Sequence, residues 1–264
     1  DRPLPAQYVD FLAGLARGEL GVSLSHFPSP VLEVMGQGLG WSLLLGGVAT
    51  AAAFVLGTTL GAWVALRRGG ALDQLLPPLL VLLGAFPYFW LAMLLVWVFG
   101  VELRWAPLHH AWDAGLSPSL TPSFVLSLLR HAALPALTLV LASVGGWVLT
   151  MRSNTLAVLR EEHVRYALAR GLSPRRIFLH HVVRNAVLPS LTSFATALGY
   201  VVSGSLLTEM VFGWPGQGML LLEAVRTQDF PLMQGLFLSV TVATLAANAL
   251  VDLVTVILDP RLRP

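Results

Sequence analysis

Glu162 to Pro189 read EHVRYALARGLSPRRIFLHHVVRNAVLP, a basic and moderately apolar insert between segments hydrophobic enough to lie in a membrane. Two short helices are predicted in it. Gly171, with no Cβ, suits the C-terminus of the first, and Ser173 as N-cap with Pro174 at the first helical position starts the second. Val164, Ala167, Leu168 and Leu172 recur at helical spacing, which leaves Arg165, Arg170, Arg175 and Arg176 to face water or an acidic partner. The pattern by itself also accommodates a solvated connection whose only task is to join two spans.

The flanks make this an insert in a membrane protein. Of 264 residues, 56% are hydrophobic and 11% charged, and the mean hydropathy is +0.74, a balance foreign to soluble domains. Trp41 to Leu66 is long enough, at about 1.5 Å per residue, to cross a hydrocarbon core of about 30 Å. Leu75 to Val101 forms a second span, with a kink predicted at Gly84 and Pro87. His131 to Thr150 is the third. Leu191 to Phe212 is the fourth, carrying the small residues Gly199, Ser203, Gly204 and Ser205, and Phe230 to Leu258 holds the fifth. Gly57 and Gly61 stand at the G-x-x-x-G spacing that permits close helix contact.

Between the spans the chain changes character. Asp1 to Gly40 is too polar to cross, but a short helix is predicted from Ala6 to Arg17, and Tyr8, Phe11, Leu12, Leu15 and Leu20 give the segment an apolar face to bury. Glu102 to Leu129 has the composition of an exposed loop. Its His109 and His110 lack supporting ligands at metal-site spacing. In Gly213 to Phe230, Trp214-Pro215-Gly216 is a helix-start signal. The apolar stretch that follows, Met219 to Val225, is too short to span and is expected to lie at the outer surface, as part of a gate or as a simple connection.

Charge placement gives the orientation. All 16 basic residues are Arg, and seven of them lie between Arg152 and Arg184. Arg67-Arg68 and Arg261 with Arg263 mark two further positive ends, so these three places are expected in the cytoplasm. Residues 1–40 then lie outside, which calls for a further transmembrane helix before Asp1. The net charge of +2 offers no diffuse nucleic-acid surface, and the lack of Cys removes disulfides and thiolate chemistry. With no Lys the chain cannot build a P-loop, so ATP-driven work must be borrowed. Ser, His and acidic residues form no catalytic constellation. Of the acids within spans, Glu209 is expected near the outer end, and it and Asp252 are assigned structural roles.

The order Glu162, Ala167, Ala169, Arg170, Gly171, then Leu188-Pro189 resembles the signature loop of the membrane subunits of binding-protein-dependent ABC importers, in the longer-spaced form of their peptide and nickel branch. The generic Glu-Ala-Ala triplet falls on Arg165-Tyr166-Ala167, and Arg170 stands where Lys is common. TEMVFGWPGQGMLLLEAVRTQDFPLMQG from Thr208 to Gly235 and NALVDLVTVILDPRLRP from Asn248 to Pro264 resemble the same branch. The resemblance implies an all-α polytopic transmembrane bundle, with residues 1–40 extracytoplasmic and 41–264 forming the permease domain. In it, the cytoplasmic loop 152–189 carries a coupling helix that inserts into a cleft on an ATPase subunit.

By the same resemblance, Glu162, Ala167, Ala169, Arg170, Gly171, Ser173, Pro174, Arg175, Arg176, Leu188 and Pro189 belong to the coupling loop, and Trp214, Pro215 and Gly216 to an outer gate. The expected partners are a second homologous permease, two ATPase subunits that hold ATP and Mg, and an extracytoplasmic substrate-binding protein. The expected setting is a bacterial or archaeal cytoplasmic membrane, and the expected cargo is di- or oligopeptides. Nickel as cargo, or an ion-coupled secondary transporter, are the alternatives at this stage.

Overall fold

Glycines along two long helices set the architecture. The computed structural model describes residues 3–201 and 205–258, with the backbone alone for 250–252 and 254–258. The described elements are helical throughout, apart from an isolated bridge between Val22 and Pro30. In chain order they are α1 (Leu4–Ala16), α2 (Val31–Leu66), α3 (Ala71–Ala85) and α4 (Tyr88–Leu95), which widens into a π-helical turn over Val96–Glu102. Next come α5 (Pro122–Val158), α6 (Glu162–Ala169) and α7, made of Pro174–Arg176, a π-helical Ile177–Val183 and Arg184–Ala186. The last four are α8 (Leu188–Gly199), α9 (Leu206–Phe212), α10 (Gln217–Thr227) and α11 (Phe230–Leu258).

Gly57 of α2 sits against Trp147 of α5, and Gly61 against the Val148 carbonyl and Met151, so closely that a Cβ at either glycine would overlap its neighbour. The contacts advance in the same direction along both helices, so α2 and α5 run parallel. Leu66 and Val158 therefore lie at one end of the bundle, with Arg67, Arg68 and Arg160. In the opposite sense, Gly145 of α5 abuts the Leu80 carbonyl of α3 and Gly84 abuts the Ala142 carbonyl. Gly235 near the start of α11 packs on Val31 and Met35 near the start of α2, and Gly199 of α8 packs on Ala247 of α11. The G-x-x-x-G spacing in α2 is thus a packing surface.

Among the described residues, three helices are long and apolar enough to cross a membrane, Val31–Leu66, Pro122–Val158 and Phe230–Ala249. The pair Ala71–Ala85 and Tyr88–Glu102, bent by 98°, makes a fourth if it is one broken span. The predicted kink is therefore a sharp break. Pro87 has no N–H to donate, and Phe86 before it is extended (φ −76°, ψ 142°). The expected span Leu191 to Phe212 is likewise divided into α8 and α9, and residues 202–204 between them, with the expected contact residues Ser203 and Gly204, lie outside the described set.

Other boundaries move for reasons of tertiary burial. α2 starts at Val31 rather than Trp41, because Val31, Val34, Met35 and Gly38 are buried despite the polar Glu33 and Gln37 beside them. α5 begins at Pro122, inside what composition marks as loop, and Phe124, Ser127 and His131 are buried on its first turns. The rest of that loop is largely exposed, as its composition suggests, and is pinned at three points: Ala111 is buried, the Trp112 ring lies tilted against Trp41 with centroids 5.1 Å apart, and Asp113 accepts a hydrogen bond from Ser127 Oγ at 2.6 Å. Conversely α1, expected to bury an apolar face, buries no residue against this chain, and Tyr8, Phe11 and Leu12 are exposed. The Asp252 side chain, Arg261 and Arg263 lie outside the described residues.

Candidate functional site

The turn between α6 and α7 closes by backbone chemistry alone. Gly171 adopts φ +73°, its N–H donates to the Leu168 carbonyl at 2.9 Å, and the N–H of Leu172 reaches back to the Ala167 carbonyl at 3.3 Å. Those two bonds form a Schellman motif, which ends a helix by satisfying its last carbonyls and needs a left-handed residue. Ser173 follows in extended conformation and Pro174 takes the first turn of α7, but the Ser173 hydroxyl makes no capping bond. Ser173 caps through its carbonyl, which accepts from Ile177 N at 3.0 Å.

Val164 and Ala167 of α6 and Ile177, Val182 and Ala186 of α7 are buried in one cluster with Ala62 of α2 and Met151 and Val158 of α5. The loop is therefore docked on the ends of the two parallel helices. Glu162, Arg165, Ala169, Arg170, Gly171, Ser173, Pro174, Arg175, Arg176, Leu188 and Pro189 are exposed, while Ala167 is buried. Leu168, expected on the buried face, is 58% exposed beside Tyr166 at 67%. An eight-residue helix resting on Val164 and Ala167 leaves its last turn uncovered, so this end presents two large apolar side chains among arginines.

Polar contacts hold the loop in place. The His163 ring lies 3.1 Å from Glu161 Oε2 through Nδ1 and 3.1 Å from the His181 carbonyl through Nε2, joining α6 to α7. Asn154 of α5 donates to the Ala186 carbonyl at 3.2 Å. Arg152, expected at the start of the cytoplasmic loop 152–189, is inside α5 and paired with Asp73 of α3, at 2.5 Å from Nε and 3.0 Å from Nη2.

At the opposite end, Gly213 closes α9 in the left-handed region (φ +61°), and Gly216 precedes α10. The expected helix start is present, but Trp214 is an internal anchor, 1% exposed. Its indole N–H donates to the Trp41 carbonyl at 3.0 Å and its ring meets Trp41 edge-on. Beneath this turn lies the acid expected near the outer end of its span. Glu209 is fully buried, and its carboxylate accepts from Ser205 Oγ at 2.7 Å and from Gly218 N at 2.7 Å. A Cβ on Gly216 would overlap that carboxylate and Ser42 Oγ, and Ser42 Oγ in turn accepts from Gln217 N at 2.8 Å. Gly216 and Gly218, seven and nine residues after the acid, are the sequence signal for its close packing.

A second acid organises the same end. Asp229, fully buried before α11, accepts from Ser23 Oγ at 2.5 Å, Ser25 N at 3.0 Å, Ser25 Oγ at 2.8 Å and Leu232 N at 3.1 Å. Burial alone would raise its pKa, but the bonds from Ser23, Ser25 and Leu232 outweigh it and hold the carboxyl down to about 2. Between the two ends, Thr50, Tyr88, Ser143, Tyr200 and Ser205 place hydroxyls around a groove of about 430 Å³ on the side of the bundle. Among the described residues no three His, Asp or Glu side chains converge as metal ligands.

A multi-pass all-α membrane bundle, with a docked basic loop at one end and a buried, acid-locked turn at the other, is the class that these features define. Residues 57–264 match the model of the family described as binding-protein-dependent transport system inner membrane component, and the chain belongs to that family. It is 37% identical over 263 residues to a protein of Brucella suis biovar 1 provisionally named a peptide permease, covering 100% of this chain and 81% of that one. It is 33% identical over 276 residues to the di/tripeptide transport system permease protein DppB of Pseudomonas aeruginosa, covering 100% of this chain and 82% of the other. In fold it resembles a chain of the inward-facing MetNI methionine ABC transporter, with a TM-score of 0.60 and 17% identity over 84% of this chain and 97% of that chain. The protein is thus a permease subunit of an ABC importer, and the ATPase of such systems is a separate chain.

Proposed function

We propose that this chain forms half of the passage through which an ATP-driven importer moves di- or oligopeptides across a bacterial or archaeal cytoplasmic membrane. A second homologous permease forms the other half, two ATPase subunits holding ATP and Mg dock on the loop at 152–189, and an extracytoplasmic binding protein delivers the cargo. The observation that carries the reading is the division of labour in α6. Val164 and Ala167 fix it to α2 and α5, while Tyr166, Leu168, Arg165 and Arg170 are left outward. Exposed apolar side chains ringed by arginines suit an acidic-rimmed apolar cleft on another protein. The peptide relatives support the cargo, and the hydroxyls of Thr50 and Tyr88 in the largely apolar groove support it chemically. Ser, Thr and Tyr can exchange hydrogen bonds with peptide groups of any sequence, and polar groups at membrane depth belong where they line a passage. Trp214, Pro215 and Gly216 form the outer gate in this reading.

The test is reconstitution with the partner subunits in vesicles, following uptake of a labelled dipeptide and of nickel. Dipeptide uptake that needs ATP and survives collapse of the proton gradient is the expected result. Uptake that stops with the gradient, or that serves nickel alone, would reject it.

A further inference from the structure

Arg67, which caps α2 and is followed by Arg68, stands beside a crevice that the transport reading leaves unused. Thr59, Trp63 and Leu66 on one wall and Phe178, Leu179 and Val183 on the other enclose about 400 Å³ between α2 and the π-helical part of α7. Trp63, Leu66 and Leu179 are exposed, so the crevice opens sideways from the bundle. At its mouth the Arg67 guanidinium lies 4.7 Å from the Trp63 ring centroid. That contact holds the side chain over the opening while leaving its N–H groups free to donate. Among the described residues no carboxylate pairs with Arg67. Asp73, the carboxylate that feels Arg68, is already committed to Arg152.

We infer that this crevice binds an anionic phospholipid, with an acyl chain between α2 and α7 and the headgroup phosphate on Arg67 and Arg68. The walls are apolar where a chain would lie, and Trp63 occupies the level at which tryptophans meet headgroups. The arginines stand one turn further out, where a phosphate would be and where anionic lipid is concentrated on the cytoplasmic leaflet. The inference rests on the proposed orientation of the basic end, but not on the cargo. Because α7 forms one wall, the lipid would brace the same loop that α6 belongs to.

The experiment places the purified subunit in nanodiscs of equal parts phosphatidylcholine and phosphatidylglycerol and counts lipids retained on extraction by native mass spectrometry. Wild type is expected to retain phosphatidylglycerol preferentially, and Arg67→Gln and Arg68→Gln each to lower that preference by about fivefold. Arg226→Gln, which removes the same charge at the other end of the bundle, should leave it unchanged. Thr59→Trp fills the crevice with both arginines intact and should also abolish retention. A photo-crosslinking residue at Leu179 should give an adduct of phospholipid mass. Unchanged retention in the arginine variants, or a Leu179 adduct to a second polypeptide in the assembled transporter, would overturn the inference. Failure of peptide uptake with lipid retention intact would instead count against the transport reading alone.

Discussion

Arg152 grips Asp73 with two nitrogens, tying the end of α5 to the first turn of α3 directly above the docked loop. Asp73 also accepts from Gly69 N at 2.9 Å, so one carboxylate sets both the pair and the turn that leads from α2 into α3. The geometry is bidentate, which Lys cannot reproduce.

Breaking this pair is expected to cost about 1–3 kcal/mol of stability. Arg152→Lys should recover only part of it. Thermal unfolding in detergent of Arg152→Ala, Asp73→Ala and the double variant would give a coupling energy, and additive losses would show that the two side chains act independently.

Gly171→Val meets open space, since a Cβ there has no neighbour within 4 Å. The penalty is therefore backbone strain alone, about 1 kcal/mol or more at φ +73°. Membrane insertion should be intact, while ATPase stimulation and uptake in the reconstituted complex fall. Gly171→Asn, which tolerates the left-handed region, should retain more activity than Gly171→Val. Normal coupling in both would mean that the loop is an ordinary connection.

Glu209→Ala leaves the buried Gly218 N–H without its acceptor, while the Ser205 hydroxyl keeps the Val201 carbonyl at 3.0 Å, an expected loss of about 1–3 kcal/mol. Gly216→Ala should be destabilising by a different route, because its methyl would displace the same carboxylate. Tryptophan fluorescence reports both, since Trp214 anchors on the turn they disturb. An unshifted spectrum with unchanged melting would refute the lock.

The Asp229 cluster has a defined pH signature. Its carboxyl titrates near 2 in the fold against 3.8 when free, so the fold gains stability from the ionised form above pH 3.8 and loses that gain as pH falls toward about 2. Protease cleavage in the segment 20–30 should rise over that window in the wild type. In Asp229→Asn the rise should be flattened and the segment already more susceptible at neutral pH.

The local part of this structure was legible in the residues themselves. Gly171, Ser173 and Pro174 act on their own backbone within a few positions, so the turn they form is readable from composition and order. Gly57 and Gly61 were readable as a candidate contact, but their partner Trp147 was not. Asp229 and Arg152 escaped because each is satisfied by groups distant in sequence, Ser23 and Ser25 around Asp229 and Asp73 for Arg152, whereas Glu209 was legible as a structural acid near the outer end though its partners Ser205 and Gly218 were not. Hydropathy likewise started α2 too late, because it scores Glu33 and Gln37 without seeing Val31 and Met35 buried beside them.

The contact of Gly57 and Gly61 with α5 makes α2 and α5 a single strut. Neither helix can slide past the other without driving backbone into side chain, so a load applied at Val164 and Ala167 is not absorbed at the helix interface. In the proposed function it would be delivered at Trp41, some twenty residues up the same helix from Gly61, or about 30 Å at the rise of an α-helix. Trp41 is where the Trp214 turn hangs by its indole hydrogen bond. Stiffness between those two points, rather than contact between them, is what would let one end of the molecule answer to the other in that reading.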